Sequence, residues 1–128
     1  MEILKIVTLS ISGLLLLTVG TLRLINPIKN YLKNSGIKLE KEVNLLNEVR
    51  GVSALMMCSG IVILLGTIVS NITTASFVVA ILIFIGFAIG RIISIRLDGK
   101  PNKLIVQGLI SELVLGAANI FCLVNTLV

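Results

Sequence analysis

The feature that most limits how this chain folds is the length of its apolar stretches, several of which exceed the ~18 residues needed to cross a bilayer. Of the 128 residues, 56% are hydrophobic and 13% charged, whereas a soluble domain carries roughly 25% charged residues. The mean hydropathy is +1.11. The expected product is an all-α, integral membrane four-helix bundle forming one domain over residues 1–128, with spans near 3–25, 45–69, 74–97 and 102–127. Nothing is left over for a soluble domain.

The first span, MEILKIVTLSISGLLLLTVGTLRLI, superficially resembles a signal peptide because Lys5 precedes an apolar run. It has no A-x-A-like cleavage site, Glu2 is atypical of such a leader, and the run is long enough to cross, so it reads as a retained helix. Gly13 and Gly20 share one face of it, where small residues admit a neighbouring helix. Asn26-Pro27 ends the span, since Pro27 biases Asn26 away from helix. The segment INPIKNYLKNSGIKLEKEVNLL that follows is the only substantial polar one. In it Ile28, Tyr31 and Leu32 are spaced like the apolar face of a short interfacial helix flanked by Lys29 and Lys33; a solvated basic loop fits equally well. Asn34-Ser35-Gly36 is a turn signal.

The second span presents Gly51, Ala54, Cys58, Ser59 and Gly60, a small-residue surface suited to tight packing. Its N-I-T successor, Asn71-Ile72-Thr73, lies too near the membrane to serve for glycosylation. In the third span Gly86 and Gly90 form a G-x-x-x-G, common in membrane helices by composition alone, which together with Gly13 and Gly20 predicts closely packed helices. Asp98-Gly99-Lys100-Pro101 is a turn in which Gly tolerates positive φ and Pro pre-sets the next helix start. RLINPIKN after the first span and RLDGKPNK after the third echo each other, and internal duplication and chance both account for it.

The net charge of +5 is concentrated in two connections. Lys29, Lys33, Lys38 and Lys41 lie in the first, Lys100 and Lys103 in the third, with Arg23 and Arg96 at their edges. The middle connection and the C-terminal tail carry no charge, and the N-terminus offers only Lys5. The positive-inside bias puts both basic connections in the cytoplasm and both termini outside. Membrane lipids therefore account for the basicity as partners, and no nucleic acid is implied. The absence of His excludes imidazole-ligated haem and His-based metal sites. Cys58 and Cys122 fall inside apolar segments with no C-x-x-C and read as small buried hydrophobes. No cofactor or metal is expected.

Against this apolar background the charges within spans stand out. An Arg or Asp at a helix centre costs about 2.5–3.5 kcal/mol on insertion scales. Glu48 and Arg50 lie a turn or two inside the second span, and Arg91 sits at similar depth in the third. Glu112 is deeper, roughly 13 Å beyond Lys103 at the helical rise. The arginines can snorkel; Glu112 is short, and must pair, bind something or take up a proton. Gly108, Glu112 and Asn119 fall on one side of the fourth span, Phe84, Phe87 and Arg91 on one side of the third, and Arg50 shares a face with Asn47, Ala54 and Met57. The expected arrangement encloses Arg50, Arg91 and Glu112 in the cytoplasmic half of the bundle, with Gln107 nearby, Asn119 on the same face, and Glu48 balancing the surplus positive charge if it turns inward. Such a network either glues helices together, lines a pocket for an anion or lipid headgroup, or uses Glu112 as a proton-coupled carboxylate.

At these residues the chain resembles a known family. NEVRGVSALMMCSGIVILLG in the second span, GRIISIRLDGKPN leaving the third and ELVLGA in the fourth are similar to a bacterial family of small four-helix membrane proteins, a domain-of-unknown-function family that is loosely DoxX-like. The matching positions are Arg50 and Gly51, Gly90 and Arg91, Pro101, and Glu112 with Leu113 and Val114. The resemblance implies a multi-pass protein of the bacterial inner membrane and supplies no activity. The quinone or thiol chemistry of the DoxX-like neighbourhood has no support in a chain without His, paired cysteines or a dinucleotide fingerprint.

Three functions compete. The first is a non-catalytic binding or helper protein whose polar pocket holds an anionic or lipid-headgroup ligand, alone, as a homo-oligomer or within a larger membrane complex. The second is a proton-coupled small-solute transporter using Glu112. Small four-helix multidrug exporters of that kind carry their carboxylate in the first span and have weak charge bias, unlike this chain. The third is a lipid- or quinone-linked membrane enzyme subunit, for which no nucleophile–base pair, metal-ligand cluster or cofactor motif is present. The charge bias makes one prediction directly: a reporter fused at Val128 that is active only in the cytoplasm is expected to be silent, and activity there would reverse the topology.

Overall fold

A lipid interior offers no water to backbone N–H and C=O groups, so each crossing segment must satisfy its own hydrogen bonds. In the computed structural model, which describes residues 1–128, 90 of 106 backbone hydrogen bonds accordingly lie inside helices. The helices are α1 (Glu2–Ile25), α2 (Pro27–Ser35), α3 (Val43–Leu65), α4 (Thr73–Asp98) and α5 (Lys103–Leu127), with a single 3₁₀ turn at Ser70–Ile72 leading into α4. There are no strands. All but α2 are long and apolar enough to span a membrane, and the fold is the all-α four-helix membrane bundle that the apolar runs predict.

The bundle consists of two tight pairs, α1 on α3 and α4 on α5, joined by lesser contacts of α3 with α4 and of α1 with α5. Small residues set the first pair. A Cβ on Gly20 would lie 2.6 Å from the Met57 backbone nitrogen and 2.8 Å from the Ser53 carbonyl oxygen, and one on Gly60 would lie 2.8 Å from the Gly13 carbonyl oxygen. The backbones of α1 and α3 thus touch, as the shared face of Gly13 and Gly20 predicts. In the second pair Gly116 makes room for the Ile85 side chain. The core between the pairs is Leu9, Leu16, Met56, Ile63, Phe77, Ala80, Phe84 and Cys122. Large apolar residues such as Ile3, Ile68 and Leu82 point outward, which suits a lipid-facing surface.

Two expectations about packing need correction. Gly86 and Gly90 do not form a helix-packing motif, because a Cβ on either would meet nothing within 4 Å, and the same holds for Gly51. The reason lies in how α3 meets α4. Their hydrogen-bonded contact is at the second connection, where Ser76 Oγ donates to the Val62 carbonyl at 2.9 Å. Further along, Val52 and Met56 of α3 and Gly86 and Gly90 of α4 border a cavity instead. The second span also stops earlier than residue 69. The Gly66 carbonyl accepts a hydrogen bond from Thr73 Oγ1 at 2.7 Å, which draws the chain into its reversal.

The polar segment after α1 adopts the helix rather than the loop. Asn26 caps α2 by accepting from the Lys29 N–H at 3.3 Å, and Pro27 occupies the first turn, where its missing N–H costs nothing. Gly36 ends it in the left-handed region, φ 66°. Asn30 Nδ2 donates to the Leu22 and Asn26 carbonyls at 3.0 and 2.9 Å, binding α2 to the end of α1. Pro27, Asn30 and Ser35 are buried, so α2 is packed across the end of the bundle. Asn102 completes this end: its Oδ1 accepts from the Ile105 N–H at 3.0 Å to cap α5, and its Nδ2 donates to the Ser35 carbonyl at 2.8 Å. The two basic connections are thereby tied together.

The glycines separate by consequence. Gly20→Ala pushes a methyl into backbone that cannot give way and is expected to cost about 1–3 kcal/mol. Gly90→Ala, facing open space, should stay within about 0.5 kcal/mol of the unsubstituted protein. Unfolding in detergent measures both, and equal effects would contradict the described packing.

Candidate functional site

A cavity of about 750 Å³ opens in the half of the bundle that carries the basic connections. Its inner walls are apolar, with Leu16, Val19, Met56, Phe84 and Phe87, while Arg23, Tyr31, Ser35, Arg91, Gln107 and Glu112 give its outer part a polar lining. Helical spacing produces this division on α4, where Phe84, Phe87 and Arg91 follow one another along one face.

Arg91 and Glu112 meet across α4 and α5, with Arg91 Nε donating to Glu112 Oε1 at 2.8 Å. Their side chains are 29% and 12% exposed. This is a partly buried, charge-assisted contact, the kind that low-dielectric surroundings strengthen and that leaves a large penalty when one partner is removed. It joins the two charges the sequence places opposite each other and neutralises both.

The second guanidinium of the site is Arg23, not Arg50. Arg23 is only 8% exposed. Its Nη2 donates to Ser35 Oγ at 2.8 Å, and its guanidinium lies 4.1 Å from the centroid of the Tyr31 ring. A cation over an aromatic face is worth about 2 kcal/mol when desolvated. Arg23 Nε is buried and has no acceptor, and no carboxylate stands within 4 Å of the guanidinium. With Arg91 cancelled by Glu112, the cavity keeps an uncompensated positive charge at Arg23.

Of the other expected site residues, Gln107 lines the cavity. Arg50 is exposed and donates to the Leu24 and Ile25 carbonyls, where its charge complements the C-terminal end of α1. Glu48 is exposed and forms no ion pair, so it does not turn inward to balance the arginines. Asn119 is 0% exposed but lies outside the cavity. Its Nδ2 donates to Ser12 Oγ at 2.9 Å and to the Leu115 carbonyl at 2.8 Å. With the Cys122–Thr8 contact at 3.7 Å it forms a polar seam holding α5 to α1. Arg91, Glu112 and Gln107 are therefore brought together; Arg50, Glu48 and Asn119 are not.

Arg23, Tyr31 and Ser35 escaped the sequence reading. Arg23 sits at the polar boundary of a span, where arginines ordinarily snorkel toward headgroups, and so reads as a loop-edge charge. A signal was nevertheless present: Leu9, Leu16, Gly20 and Arg23 share the helical register of the packed face of α1.

Four helices long and apolar enough to span define a multi-pass membrane protein. Within that class the chain belongs to the family described as a domain of unknown function, DUF4345, which it matches over residues 3–123. An uncharacterised family is what the motifs of the second, third and fourth spans lead one to expect. No curated protein and no solved structure matches the chain.

The ion pair makes a quantitative prediction. Arg91→Leu and Glu112→Leu should each cost up to ~3–5 kcal/mol, and the double variant markedly less than their sum. Arg50→Ala combined with Glu112→Leu should be additive within about 0.5 kcal/mol. Unfolding in detergent provides both cycles, and additivity in the first would mean that the pair is not coupled.

Proposed function

We propose that the protein is a non-catalytic binding or helper protein whose cavity holds an anionic group, either a lipid headgroup or a small anion, in the cytoplasmic leaflet of a bacterial inner membrane. The observation that carries this is the Arg23 guanidinium, which is 8% exposed, lines the cavity and has no carboxylate within 4 Å. Uncompensated buried charge is expensive, and an anion placed there would repay the cost with charge-assisted hydrogen bonds. Ser35 and Tyr31 supply neighbouring polar groups, while the pairing of Glu112 with Arg91 blunts the repulsion that a free carboxylate would exert. The basic connections at this end support a cytoplasmic placement, and the apolar outer faces leave room for a homo-oligomer or a larger membrane complex.

Proton-coupled transport through Glu112 is the alternative, supported by the position of that carboxylate on the cavity wall. Protonation would remove the charge attraction that strengthens its hydrogen bond from Arg91, which weighs against it. Native mass spectrometry of gently purified protein tests the proposal. The expected result is a copurified anion or anionic lipid whose occupancy falls about tenfold or more in Arg23→Gln, matching the loss of a hydrogen bond to a charged group, and is largely kept in Arg23→Lys. Equal occupancy in Arg23→Gln, with an unchanged melting temperature, would overturn it.

A further inference from the structure

An anion at Arg23 has two sources, the water beyond the basic connections or the surrounding bilayer, and the sides of the cavity distinguish them. Between α1 and α3 the wall is closed by backbone contact at Gly20. Between α4 and α5 it is closed by the Arg91–Glu112 pair and by Ile85 against Gly116. The watery end is covered by α2, which touches both α1 and α5 and is clamped to α5 through Asn102 and the Ser35 carbonyl. α2 and, deeper in, the Asn119–Ser12 contact link α1 to α5, whereas the side between α3 and α4 differs. There Gly86 and Gly90 are exposed on the rim of the cavity, and a side chain at either would meet nothing within 4 Å. Val52 and Met56 face them from α3.

Resting on the anion site proposed above, we infer that the ligand is a membrane lipid with an anionic headgroup, whose headgroup sits against Arg23 and whose acyl chain leaves sideways between α3 and α4, over Gly86 and Gly90, into the bilayer. Two independent features converge on this ligand. Arg23, 8% exposed, lining the cavity and without a carboxylate within 4 Å, calls for an anion. The apolar walls and the uncovered glycine furrow call for a hydrocarbon chain attached to it, since a free inorganic anion gains nothing from Phe84, Phe87 and Met56. Gly86 lies one helical turn from Gly90, about 6 Å at the helical rise. The furrow thus leads away from the level of Arg91 toward the bilayer interior, as an acyl chain does from its headgroup.

The experiment compares two probes, dioleoyl phosphatidylglycerol and the chain-free glycerol phosphate, for binding to the full-length protein in detergent by native mass spectrometry. The variants are Arg23→Gln and the pair Gly86→Leu with Gly90→Leu, each checked for an unchanged melting temperature. The lipid is expected to bind at least tenfold more tightly than glycerol phosphate to the unsubstituted protein. Arg23→Gln should lose at least tenfold in affinity for both probes, whereas the leucine pair should lose it for the lipid alone. Should the leucine pair fail to fold, Val52→Trp narrows the same opening from α3 and is expected to act likewise. Lipid binding unchanged by a folded furrow variant would overturn the lateral route while leaving the anion site standing. Equal affinity for the two probes would identify an aqueous anion and overturn the inference. Binding of both probes unaffected by Arg23→Gln would remove the anion site and the inference together.

Discussion

A guanidinium inside a membrane bundle cannot rely on water, and the basic half of this protein is arranged around meeting that demand twice. Arg91 is satisfied by a carboxylate from the neighbouring helix, at 2.8 Å. Arg23 is partly met by the short helix α2, which brings the Tyr31 ring over its face and the Ser35 hydroxyl to its Nη2 but leaves its Nε without an acceptor. The second arrangement explains why α2 is helical and packed. A nine-residue helix is marginal in isolation; here its turns are held by Asn26, Asn30 and Gly36, and its inner face covers a charge. The two solutions differ in what they leave behind. The Arg91 pair is electrically closed, whereas the aromatic ring and hydroxyl around Arg23 stabilise the cation without neutralising it.

The four spans, their pairing of charge with depth and the facing of Arg91 and Glu112 were legible because each depends on periodicity and length along one helix. Once the basic connections share an end, Arg91 and the deeper Glu112 both fall in the half of the bundle that carries them, each on an inward face. What could not be read depends on which helix lies opposite. The Gly86–Gly90 spacing is the same whether a neighbour fills it or a cavity does, and α3 turns away there because its contact with α4 is made near Ser76 and Val62. Arg50 looks as intrusive in sequence as Arg91. Its side chain, however, finds the end of α1 one helix away, where carbonyls without intrahelical partners accept it. Arg23 was hidden by the opposite circumstance, since nothing before Pro27 indicates that the next nine residues fold back over it.

The polar groups of the spans thus divide into two kinds. Asn119, Ser12, Thr8 and Cys122 are buried and form the side-chain contacts that join α5 to α1, specifying which helices are neighbours. Arg23, Gln107, Arg91 and Glu112 border empty volume. Polar side chains that bridge packed helices are accounted for by assembly; those bordering a void have space beside them for a ligand, and it is this difference, more than the presence of charge, that marks the basic half of the bundle.

Because each tight helix pair is made of consecutive spans, the molecule is two hairpins docked along their length, and the cavity is the gap between them. During synthesis the residues of the first hairpin and of α2 emerge before those of the second. The Asn102 clamp and the Arg91–Glu112 wall arrive only when the second hairpin docks. Any molecule that occupies the gap binds the docked chain and not its separated halves, so by mass action it acts as mortar between them. Occupancy and the integrity of the whole bundle are then one equilibrium, and a chain left empty is also the one whose halves come apart most readily.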